Sequence, residues 1–90
     1  MPYYCYIVEC SDGTYYTGWT NDPQQRIREH NAGHGSRYTR SRRPVQLVYL
    51  EEHPGRMAAL RRESAIKRLT RAQKHALIEH HLSSHTNHTH

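Results

Sequence analysis

The sequence predicts an α+β fold in which helices pack on a single antiparallel sheet. Three observations lead there. Two tracts rich in aromatic and β-branched residues, 3–10 and 14–19, flank the turn tripeptide Ser11-Asp12-Gly13. Helix-start chemistry occurs twice, at Asp22-Pro23 and at Thr70. Between them, after Pro54-Gly55, apolar residues recur at helical spacing.

The first two tracts read as a β-hairpin. A three-residue loop with Gly13 in the left-handed conformation sets Cys10 opposite Thr14, Val8 opposite Tyr16 and Tyr6 opposite Gly18. Tyr6 and Tyr16 then share one face, whereas a two-residue loop would separate them. The first strand is apolar on both faces apart from Glu9, which marks a central strand covered from both sides. Asp22 is placed as an N-cap, Pro23 at the first helical position and Gln25 to close a capping box, with a stop near Gly33 or Gly35. Residues 35–44, GSRYTRSRRP, show no periodicity and read as a basic loop. Residues 45–51 supply a third strand. Ala58, Ala59, Ala65, Ile66 and Leu69 then form a helical stripe, and Thr70 with Gln73 opens a last helix ending near His81. One domain over residues 1–81 is expected, followed by a frayed, His-rich tail at 82–90.

Ninety residues at 34% hydrophobic composition and a mean hydropathy of −1.04 allow only a small core, which excludes a large buried ligand cavity. No long apolar run and no signal-like N-terminus argue against membrane spanning and secretion. Cys5 and Cys10, five apart on one strand, point to opposite faces and do not suit a disulfide. A reducing, cytoplasmic setting is therefore expected. The net charge is +5, and arginine outnumbers lysine eleven to two. Six of those arginines lie between Arg26 and Arg43 with one glutamate, which suits phosphate better than it suits mere solubility. Arg28, Arg37, Arg40, Arg42 and Arg43, with Tyr38 among them, are the candidate contacts to a nucleic-acid backbone. The tail histidines have no fixed-spacing partner and carry at most weak, adventitious metal binding.

No phosphate-cradling glycine loop, zinc signature or nucleophile elbow is present. Instead, Tyr4-Cys5-Tyr6 is followed ten residues later by Tyr16-Thr17-Gly18, then by Arg26, His30-Asn31 and Glu63 in AALRRESAIK. This ordered set resembles the GIY-YIG nuclease superfamily. From residue 3 to about 77 it is similar to the small stand-alone bacterial YhbQ-like members, including the hairpin ECSDGTYYTG and the loop RYTRSRRP. Tyr4 and Cys5 depart from the eponymous Gly and Ile, and Thr17 stands where Ile is nominal, at a position expected to tolerate it.

The resemblance implies a three-stranded antiparallel sheet flanked by helices and a metal-dependent endonuclease acting on DNA. It implies that Tyr16 activates or positions water, that Tyr6 orients that network or the scissile phosphate, and that Arg26 stabilises the phosphate. It further implies a part for His30 and a seat for Mg2+, or Mn2+, at Glu63. Each residue also has a plainer reading. The tyrosines serve as core aromatics in a chain without phenylalanine, Arg26 as surface charge, His30 as a helix C-terminal cation, and Glu63 as the partner of Lys67. All five catalytic candidates are expected in one groove on one face of the sheet. A phenol near pKa 10 is a poor base unless neighbouring cations lower it. The alternative is a nucleic-acid-binding module, for DNA or RNA, with the same fold and little or no cleavage. Ninety residues are expected to leave no separate targeting domain, which keeps this alternative open; a partner protein that directs the cut is a further expectation.

Overall fold

The computed structural model describes residues 2–86, with backbone alone for 83–86. A three-stranded antiparallel sheet has β1 (Tyr3–Glu9) at its centre, between β2 (Tyr15–Thr20) and β3 (Gln46–His53). Gly13 takes φ +84° and its N–H donates to the Cys10 carbonyl at 2.9 Å, closing the three-residue loop. Asp12 Oδ1 accepts from both the N–H and the hydroxyl of Thr14, at 3.1 and 2.6 Å. The register is the expected one, with Tyr6 opposite Gly18 and Val8 opposite Tyr16.

That register divides the core in two. Cys5, Ile7 and Tyr49 face Ile66 of α3 (Arg56–Lys67) and Ile78 of α4 (Arg71–Thr86). Tyr6, Val8, Cys10 and Val45 form the other layer, against which Ile27 of α1 (Pro23–Asn31) packs. Both cysteines are free and buried, one in each layer. Removing water from a side chain such as Ile66 contributes about 1.5–3 kcal/mol, so the α3 contact is a main source of stability.

Several local expectations need correction. Asp22 caps α1, accepting the Gln25 N–H at 3.2 Å, but the box is half made. The Asp22 N–H goes to Thr20 Oγ1 at 3.1 Å, and the Gln25 side chain turns to Glu29. The basic segment is not wholly loop, because Ser36 Oγ accepts the Thr39 N–H and starts the one-turn helix α2 (Arg37–Arg40). On α3, Ala59 and Ile66 are buried while Ala65 is exposed, since it lies 100° round the helix from Ile66. Thr17, paired with Ile7 on the edge strand β2, is buried, and its hydroxyl has no hydrogen-bond partner among the described residues. The Thr70–Gln73 box is complete, at 2.9 and 3.2 Å. α4 nevertheless runs past His81 to Thr86, into the segment expected to fray, and residues 87–90 lie outside those described.

Candidate active site

Arg26 and His30, one turn apart on α1, both reach Tyr6 across the sheet. Arg26 Nε–H donates to Tyr6 Oη at 3.2 Å, and His30 Nε2 lies 2.9 Å from the same oxygen. On the far side of the ring, His30 Nδ1 lies 2.8 Å from Thr39 Oγ1 of α2. Arg26 also donates through Nη1 to Glu29 at 3.1 Å and through Nη2 to the Gly35 carbonyl at 2.8 Å. Three of its five N–H groups are thus committed, and two remain for a ligand.

Two glycines make this cluster possible. A Cβ at Gly18 would stand 2.5 Å from Tyr6 Oη, so the phenol crosses β2 only because that position is bare. A Cβ at Gly35 would collide with the His30 ring. Tyr6 is 1% exposed and His30 0%, so both lie beneath the surface. Burial pushes the Tyr6 phenol up to about 12, against the opposing hydrogen bond and charge of Arg26. The field of Arg26 therefore does not turn Tyr6 into a base at neutral pH. Burial also lowers the His30 pKa, and the charge of Arg26 lowers it further, which keeps the ring neutral.

Tyr16 stands beside this dyad, half-buried, with its ring 5.4 Å from His30 and edge-on to it. Its hydroxyl has no hydrogen-bond partner among the described residues. Tyr38 stacks on Tyr16 at 5.9 Å, and the Arg42 guanidinium covers Tyr38 at 4.0 Å. Arg42 is engaged again through Nε to Asp12 at 3.0 Å and through Nη1 to the Tyr38 carbonyl at 2.8 Å. Arg43 is tied to the Arg40 and Asn31 carbonyls at 2.9 and 3.3 Å. These two arginines, expected as phosphate contacts, brace the α2 segment. Arg28, Arg37 and Arg40 are exposed, and their side chains have no partner among the described residues.

Glu63 lies on α3, whereas Arg26 and His30 lie on α1. Ala59 and Ile66 decide how α3 sits, and Ile66 packs on the Cys5–Ile7 face, opposite the face of Tyr6 and Tyr16. No hydrogen bond or ion pair links Glu63 to the cluster among the described residues. Its carboxylate pairs with Lys67 at 3.6 Å, and its side chain is 17% exposed. Its charge is still felt on both faces, adding to the burial that raises Cys5 and Tyr6. Arg26 lines a cleft of about 580 Å3 at the β2 edge together with Trp19, Arg56 and Glu29. Thr39 and Gly35 escaped sequence reasoning, although Ser36 three residues before Thr39 was a readable cap signal.

Residues 2–76 match the GIY-YIG catalytic domain. A UPF0213 protein of Halobacterium salinarum is 56% identical over 84% of this chain and 99% of its own length. One from Streptococcus sanguinis is 50% identical over 84% and 87%. The solution NMR structure of a UPF0213 protein from Bacillus halodurans superposes with a TM-score of 0.57 at 43% identity, covering 88% of this chain and 84% of that one. With the matching domain spanning nearly the whole described chain, and with relatives in bacteria and archaea, this protein belongs to the GIY-YIG family.

Proposed function

We propose that this protein is a Mg2+-dependent endonuclease that hydrolyses phosphodiester bonds in DNA. The observation that carries the reading is the guanidinium of Arg26, fixed from three sides yet left with two N–H groups beside an open cleft. Those donors suit the oxygens of a phosphate, whose charge grows on the way to the transition state. Tyr16 offers a hydroxyl with no competing partner, suited to holding the attacking water. Tyr6 and His30, both buried, act through Arg26 by fixing its angle.

Among the described residues no three metal-binding side chains gather. The donor chemistry nonetheless suits a hard divalent ion, which needs only one or two carboxylates and completes its shell with water and substrate phosphate. Glu63 supplies one such carboxylate, and its link to Lys67 is longer than a hydrogen bond. A cation held there supplies charge neutralisation at the transferring phosphoryl group.

The lack of a direct hydrogen bond or ion pair between Glu63 and the Arg26 cluster among the described residues favours one second reading, a binding module for DNA or RNA with little cleavage of its own. Incubation with branched, nicked, single-stranded and duplex DNA, and with RNA, in Mg2+, Mn2+ or EDTA separates the two. The nuclease reading expects cleavage of DNA that EDTA abolishes. Salt-sensitive binding with no cut in any substrate would replace it with the module.

A further inference from the structure

Thr39 is fully buried although it belongs to the basic segment between α1 and β3. The protons around it can be counted. Tyr6 Oη accepts Arg26 Nε–H, and among the described residues the one acceptor within reach of its own proton is His30 Nε2. Nε2 is then unprotonated, so the neutral ring carries its proton on Nδ1 and donates it to Thr39 Oγ1. Thr39 is free to accept because its hydroxyl proton turns to the Ser36 carbonyl at 3.4 Å, with Ser36 Oγ 3.0 Å away as a second neighbour. The other tautomer would leave the Tyr6 proton buried without an acceptor.

We propose that Thr39, backed by Ser36, is a positioning residue that sets the tautomer of His30. It thereby directs the Tyr6 hydroxyl to His30 and leaves a Tyr6 lone pair to hold Arg26 Nε. The consequence for cleavage rests on the nuclease reading; the tautomer does not. Gly35 belongs to the same device, since any side chain there would displace the ring that Thr39 orients.

Nitrogen-15 NMR of the His30 ring in the full chain at neutral pH distinguishes the tautomers directly. The wild type is expected to be protonated on Nδ1. Thr39→Val keeps the shape but removes the acceptor, and is expected to move population to the Nε2–H form. Single-turnover cleavage should fall about tenfold while nucleic-acid affinity stays within about twofold, because one oriented hydrogen bond is lost. Thr39→Ser, which restores the hydroxyl, should restore both the tautomer and the rate. A wild-type ring protonated on Nε2 overturns the proposal, whether or not any variant folds. An unchanged tautomer in Thr39→Val also overturns it. A wild type with the Nδ1–H ring that cuts no nucleic acid supports the tautomer assignment and removes the nuclease reading instead.

Discussion

Thr17 and His30 show how single positions in this small core trade stability against arrangement. The Thr17 hydroxyl is buried at 2% exposure with no partner among the described residues, so it lost its water on folding without replacing it there. Thr17→Val, equal in shape, is expected to raise stability by about 1 kcal/mol in urea titration. A less stable variant would mean that the hydroxyl has a partner after all. His30 carries the opposite lesson, because only the neutral ring accepts the Tyr6 hydroxyl proton while donating to Thr39. Its folded pKa lies below the ordinary 6.5, through burial first and the charge of Arg26 second. Near and below pH 6.5 the unfolded chain therefore binds more protons at this residue than the folded one, so stability falls with falling pH through that window. The urea midpoint should drop between about pH 7.5 and about pH 5 in the wild type, and drop less in His30→Gln. Equal slopes in the two proteins would contradict the assignment.

At the scale of elements, the sequence was legible where local chemistry sufficed. Gly13 announced the loop length, the loop fixed the register, and the register put Tyr6 and Tyr16 on one face. The Thr70–Gln73 box likewise needed only its own four residues. α2 was not legible, because a four-residue helix has no room for periodicity and is stabilised by tertiary contacts, His30 on Thr39 and Tyr16 on Tyr38. The same contacts sort the arginines. Arg42, engaged with Asp12 and Tyr38, is part of the scaffold, whereas Arg37 and Arg40 are exposed and available. Replacing both Arg37 and Arg40 by Ala should lower the slope of log affinity against log salt by roughly 1.4 to 1.8, for single and double strands respectively. Arg42→Ala should mainly lower stability. If the double variant keeps the wild-type slope, the nucleic acid does not run over α2.

For the molecule as a whole, what spacing could not reveal is which side of the sheet each helix takes. The intervals from Tyr6 to Glu63 are compatible with one shared groove, and the Ala59–Ile66 stripe seats α3 on the Cys5–Ile7 layer. Four candidates meet around Tyr6, and the fifth comes from α3, close enough for its charge to be felt at Tyr6. The central claim is that the two halves act on one phosphate, with Arg26 binding it and Glu63 holding the metal. Cleavage and binding of a labelled DNA by wild type and Glu63→Gln, side by side in Mg2+, test this most directly. The substitution keeps shape and removes the charge a hard cation requires. Affinity measured without metal is expected to stay within about twofold, while cleavage falls by about a hundredfold or more, as for loss of a main transition-state charge partner. Equal cleavage by Glu63→Gln and wild type would contradict the claim and remove Glu63 from the site.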